Sequence, residues 1–167
     1  MNSLIFVDIE AAEGQTPFSG RMTEFGAVEF KTRKKFYGRL WETELMDPSE
    51  GGLFRITSDT PSCSHRQLMA DFANFARSFE GRPIFISDNP AFDFMWIAYE
   101  FDKWGMQNPF GYSGRRIGDL FAGASGKWQN TSKWKKWRAT NHDHNPVHDA
   151  LGNAEAFATI LEKFELS

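Results

Sequence analysis

The chain begins with an unbroken apolar run, Leu4–Val7, and then alternates: Asp8, Ile9, Glu10. A short apolar run of this kind predicts a buried strand, here Leu4–Ile9, with Glu10 following it. A polar, Gly-containing loop at Ala11–Gly20 leads to Met22–Phe30, where Phe25, Ala27 and Val28 stand among small and polar residues and predict a second strand. After a basic turn at Thr32–Lys34, the segment Lys35–Trp41 alternates Phe36, Gly38 and Leu40 as a third. Three such runs separated by short polar turns predict an antiparallel meander. Thr43–Pro61 carries Pro48, Gly51, Gly52 and Pro61 and predicts a long surface connection, a usual place for substrate contacts.

The periodicity then changes. Leu68, Phe72, Phe75 and Phe79 recur at helical spacing through Ser64–Phe79. Ser62 or Ser64 is placed to cap that helix and Gly81 to end it. Pro83–Ser87 predicts a short buried strand, Asp88-Asn89-Pro90 a turn, and Phe94, Ile97, Ala98 and Phe101 a second helix. Asn108–Gly114 predicts a loop, Arg116–Asp119 a short strand or its end, and Leu120–Ala122 a brief helix. Ala150, Ala154, Phe157 and Leu161 stripe a closing helix from about His148 to Phe164. A meander followed by alternating helices and strands predicts an α/β fold with a mixed central sheet flanked by helices.

Composition narrows the setting. A chain of 167 residues predicts one domain, 1–167, with a single sizeable core. The formal net charge of −3 excludes a generic polyanion binder, so any nucleic-acid surface has to be local. Cys63 is the only cysteine, which excludes an internal disulfide and fits a reducing compartment. The first residues lack the basic start and apolar run of a signal peptide. No apolar stretch approaches the length of a bilayer span. The expected setting is therefore cytoplasmic, with no membrane partner.

The candidate chemistry starts at the first strand. Asp8 and Glu10 stand two apart, so on a strand they project from the same face. Adjacent like charges raise each other's pKa, and a divalent cation between them relieves the repulsion. Mg²⁺ and Mn²⁺ favour such oxygen ligands. Asp93 opens the second helix and Asp149 the last one. An acid in a first turn is favoured by the helix dipole without any further role. His144 precedes Asp149 by five positions in a Pro-containing loop. Strand ends and helix starts are where functional groups gather in α/β sheets.

Taken together, Asp8-x-Glu10, Asn89-x-x-Phe92-Asp93 and His144-x-x-x-x-Asp149-Ala150, in this order, resemble the DEDDh superfamily of 3′–5′ exonucleases, including its RNase T-like, oligoribonuclease-like and phage-type branches. Thr23-Glu24-Phe25-Gly26-Ala27-Val28 resembles that family's second strand, and Ala150, Ala154, Glu155 and Phe157 its closing helix. The resemblance covers nearly the whole chain. It implies an RNase H-like fold and a single exonuclease domain. It implies that Asp8, Glu10, Asp93 and Asp149 bind two Mg²⁺ or Mn²⁺ ions and that His144 is the general base, a task suited to an imidazole of ordinary pKa. A frame centred on His148 would put Asn153, a poor anionic ligand, at the acid position, so the His144 frame is preferred. His148 is then a helix-start residue or a neighbour of the phosphate, and His142 has no argued role. Asp88 reads as a turn residue, Glu24 as structural and Asp119 as a helix cap.

The implied substrate is single-stranded RNA, hydrolysed to nucleoside monophosphates. The alternatives are an exodeoxyribonuclease of the same mechanism and an inactive RNase H-like binding module. Lys127, Lys133, Lys135, Lys136 and Arg138 are interleaved with Trp128, Trp134 and Trp137. Such a mixture serves phosphates and unpaired bases, or equally a half-buried amphipathic helix. Trp128, Lys133 and Lys136 are the candidate strand contacts, and Phe92 a candidate wedge against the terminal base. The backbone at Ile9 and Ala11 would lie near the terminal sugar, where a 2′-hydroxyl is read. Analogy with small exonucleases adds a homodimer.

Overall fold

The computed structural model describes residues 2–41, 53–55 and 63–166. Strand β1 (Ser3–Ala12) is the longest of the described strands. It pairs antiparallel with β2 (Arg21–Glu29), which pairs with β3 (Lys35–Trp41), completing the expected meander. On its other side β1 pairs in parallel with β6 (Pro83–Ser87), and β6 with β7 (Gly114–Arg116). Two short strands, β4 (Leu53–Arg55) and β5 (Cys63–Ser64), extend the far edge beyond β3. The order is β5-β4-β3-β2-β1-β6-β7, a seven-stranded mixed sheet.

Among the described residues four α-helices cover it: α1 (His65–Arg77), α2 (Pro90–Lys103), α3 (Ile117–Ser125) and α4 (Pro146–Lys163). The architecture is α/β, compatible with an RNase H-like fold. Strand periodicity distributes the core to both faces of β1. Ile5, Val7 and Ile9 join Leu68, Phe72, Trp96, Ile97 and Phe101 on the α1–α2 side. Phe6 joins Ile117, Phe121, Ala150, Ala154 and Phe157 on the α3–α4 side. Each fully buried side chain of this size contributes about 1.5–3 kcal/mol. Aromatic edge contacts, such as Phe6 with Phe157 at 5.2 Å, add shape to the burial.

The elements depart from expectation where local pattern is weakest. Most of the connection Thr43–Pro61 and the candidate cap Ser62 lie outside the described residues. Within that connection Leu53–Arg55 is a strand rather than loop, because β3 offers an edge for it. Ser64 closes β5 directly before α1, and that helix ends at Arg77, earlier than Phe79 and Gly81. The helix expected near Leu120–Ala122 is longer, and α4 starts two residues earlier, on Pro146. There the Asn145 side chain accepts from the backbone N–H groups of Val147 and His148. Asp119 is not the cap of α3. It lies in the first turn, 3.3 Å from Arg116.

Two features of the sheet shape the molecule's polar end. Pairing of β1 with β6 stops at Phe6–Ile86, whereas pairing with β2 continues to Ala12. Beyond Phe6 the β6-side edge of β1 is therefore open, and β6 turns away at Asp88. Gly26 is the partner of Asp8 across β2. A Cβ at Gly26 would collide with the backbone of Pro146 and Val147, so a side chain there is excluded by the first turn of α4. We expect Gly26→Ala to displace that turn and cost about 1–3 kcal/mol, typical of overpacking. Thermal denaturation would record a midpoint several degrees lower; an unchanged midpoint would mean that α4 is not seated on β2 in this way.

Candidate metal centre

After Phe6 the α4-facing positions of β1 are Asp8 and Glu10, so the face that is apolar along the strand becomes acidic at its end. Asp149 meets them from the first turn of α4, buried to 1% exposure. Asp93 comes from the first turn of α2, buried to 3%. It reaches past the open edge of β1, and its own backbone N–H donates to the Asn89 carbonyl at 2.9 Å. Its Oδ2 is buried with no hydrogen-bond partner. Asp88, where β6 turns away, adds a fifth carboxylate.

These acids form two groups that share one member. Single oxygens of Asp8, Asp88 and Asp93 lie within 4.8 Å of one another, and so do single oxygens of Asp8, Glu10 and Asp149. That spread lets each group close on one cation, because oxygen ligands sit about 2.0–2.6 Å from Mg²⁺ or Ca²⁺. The unpartnered Asp93 oxygen is the kind of atom such an ion satisfies. The acidic groups could therefore bind a metal ion.

Without one, the crowding is costly. Burial pushes the Asp8 carboxyl up to about 9, and the charges of Asp93, Asp149, Asp88 and Glu10 push the same way. Burial also lifts Asp93, to about 7; Asp88 adds to that, while the Ser87 hydroxyl and the backbone N–H groups of Asn89 and Ile9 oppose it. Glu10 is raised chiefly by burial, with His144 pulling it back.

Two histidines stand at the rim. His144 Nδ1 is 3.6 Å from Glu10 Oε1 on a largely exposed side chain, and its backbone is left-handed, with φ of 60°. His142 Nδ1 is 2.6 Å from Asp149 Oδ2. The two rings lie 4.5 Å apart. His148 faces elsewhere: its Nδ1 pairs with Asp143 at 2.8 Å, and this contact holds the Asp143 carboxyl below its usual range. Asn153, the acid position of the alternative frame, is buried and bonded to Arg138. Glu24 accepts a hydrogen bond from Tyr37 across β2 and β3, in keeping with a structural part.

A cavity of about 410 Å³ opens over the acids, lined by Asp8, Glu10, Asp88, Asp93, Ile9 and Phe92 and, from the basic segment, Thr131, Ser132 and Lys135. Asn89, Arg116 and His142 complete it. Of the expected strand contacts, Ile9 and Phe92 line this cavity. Ala11, Trp128, Lys133 and Lys136 are not part of its lining, although Trp128 is 80% exposed. The basic segment is a 3-10 turn, Lys133–Trp137, not an α-helix. Trp134 is fully buried and Trp137 packs on Phe121 at 5.4 Å, so both belong to the core. Lys136 lies over the Trp137 ring, and Lys135 pairs with Asp88.

Sequence reasoning missed Asp88, His142, Arg116, Thr131 and Ser132. The rule that sites form at strand ends would have found Asp88, since it follows a strand parallel to β1. Nothing in the local sequence distinguishes His142. The sequence matches no model of a known protein family and no curated protein.

The pKa directions set a stability profile. In the unfolded chain Asp8 and Asp93 ionise near pH 4. In the folded protein they hold their protons to about 9 and about 7. Between those limits the native state binds more protons than the unfolded one, so stability falls as pH rises. In EDTA, the denaturation midpoint should therefore drop between pH 5 and pH 9. Asp8→Asn should flatten that drop and stabilise the protein at pH 8 by about 0.5–2 kcal/mol, as relief of a strained site does. A midpoint that rises with pH would contradict the burial of these acids.

Proposed function

We propose that this chain is a 3′–5′ exonuclease of the DEDDh kind, acting on single-stranded RNA and releasing nucleoside 5′-monophosphates. The observation that carries this reading is the pair of carboxylate groups sharing Asp8, with histidines at one rim and a cavity large enough for a small ligand above them. An all-oxygen donor set is suited to Mg²⁺ or Mn²⁺. Asp8, Glu10 and Asp149 would hold one ion, and Asp8, Asp93 and Asp88 the other. Bound there, the pair supplies Lewis-acid stabilisation of the phosphodiester and a water of lowered pKa.

The chain's own residues do the rest. His144, beside Glu10, accepts the proton of the attacking water. The water oxygen bonds to phosphorus, the bond from phosphorus to the 3′ oxygen breaks, and that oxygen leaves with the shortened strand, taking a proton from solvent to become its hydroxyl. Asp93 and Asp149, on helices seated on opposite faces of the sheet, keep the acids from spreading apart. Phe92 and Ile9 give the terminal nucleoside an apolar wall. His142, on Asp149, orients that carboxylate.

A time course with 5′-labelled RNA and its DNA counterpart tests this. With Mg²⁺ or Mn²⁺ we expect a ladder descending from the 3′ end of RNA, abolished by EDTA and by Asp93→Asn. A ladder on DNA alone would change the substrate, and binding without cleavage would leave a nucleic-acid-binding module. For the base, His144→Ala should lower kcat by about 10²–10⁴-fold. His142→Ala should cost less than that. The reverse ranking would give the proton to His142.

A further inference from the structure

The carboxylates account for only part of the cavity. Arg116 and Lys135 also line it, with Thr131 and Ser132 beside them. A site built only for cations gains nothing from a guanidinium and an ammonium, which repel them. Both groups are anchored on one residue. Lys135 Nζ lies 2.5 Å from Asp88 Oδ2, and Arg116 Nε donates to the Asp88 carbonyl at 3.1 Å. Arg116 is also 3.3 Å from Asp119. Neither cation is thereby used up, since lysine carries three N–H donors and arginine five.

The segment that carries Lys135 is fixed by the core. Trp134, fully buried, donates its indole N–H to the Thr131 carbonyl at 2.8 Å. A Cβ at Gly118 would collide with that carbonyl, so only glycine lets Thr131 sit so close to α3. The cations are therefore held in place before any ligand arrives, which is what makes a binding contact effective.

Their side of the cavity is informative. His144 stands at Glu10, whereas Lys135, Arg138 and Arg116 all contact Asp88. In an in-line displacement the attacking and leaving oxygens lie on opposite sides of phosphorus. With the proton acceptor at Glu10, the leaving 3′ oxygen faces Asp88. The strand that keeps this oxygen brings its next phosphate to the same side.

We infer that Arg116 and Lys135, anchored on Asp88, bind the phosphate adjacent to the scissile one, on the strand that remains, so that the preferred substrate carries at least two consecutive charged linkages. This rests on the exonuclease reading and adds to it a contact that recognises an oligonucleotide rather than an isolated diester.

The test compares two trinucleotides, one native and one whose linkage next to the scissile bond is a neutral methylphosphonate. The wild type with Mn²⁺ should show a KM about tenfold lower for the native one, the worth of one charge-assisted contact. Lys135→Gln and Arg116→Gln should each remove most of that preference, by raising the native KM more than the other. Equal KM values in the wild type, or a preference that survives both substitutions, would overturn the inference while leaving the exonuclease intact. No turnover of either compound by the wild type would overturn the exonuclease reading and this inference with it.

Discussion

Burial of Asp8 among other carboxylates is the constraint that the rest of this structure works against. Glu10 on the same strand and three acids from elsewhere in the chain, Asp88, Asp93 and Asp149, press on a group that is already half buried. No local interaction would assemble them. They are held together because β1, α2 and α4 are each committed to the core over most of their length, and each ends at the same polar corner. The apolar stripes of α2 and α4 lie on opposite faces of the sheet, so Asp93 and Asp149 approach β1 from two sides. The energy stored there is what a cation would release on binding.

The corner exists because two neighbouring strands differ in length. β6 stops pairing at Ile86 while β1 runs on with β2. The N–H groups left open at the end of β1 face the Asp93 carboxyl, and that of Ile9 helps hold its pKa down. Thus the same mismatch that exposes Asp8 and Glu10 also opens β1 toward the carboxylate that faces them. Gly26 completes the arrangement by letting the backbone of α4 rest directly on β2.

The cations follow from packing rather than from their number. Trp134 and Trp137 turn inward, and their burial decides which lysines face the cavity. Lys136 is left along the Trp137 ring, whereas Lys135 reaches Asp88. Arg138 is tied both to Asp88 and to the buried Asn153, joining the basic segment to α4. A protein of net charge −3 thereby presents a local positive edge beside an acidic floor, the combination that the proposed reaction on a phosphodiester strand calls for.

Much of this was legible along the chain. The strands at Lys35–Trp41 and Pro83–Ser87 have the limits that local pattern predicts, and the meander follows from period and turn residues alone. The two-residue spacing of Asp8 and Glu10 put both on one face, because alternation is a property of the strand itself. First-turn placement likewise located Asp93 and Asp149 at the helix starts. What the pattern could not supply depends on segments distant in sequence meeting in space. Asp88 reads as a turn residue until β6 is known to lie against β1. His142 has no role along the chain until the loop before α4 places its ring on Asp149 and that of His144 on Glu10. The choice between core and surface for Trp134, and so the direction of Lys135, is made by packing against α3 and α4, which no single segment encodes. Local periodicity determines which face a residue is on; only tertiary packing determines what that face meets.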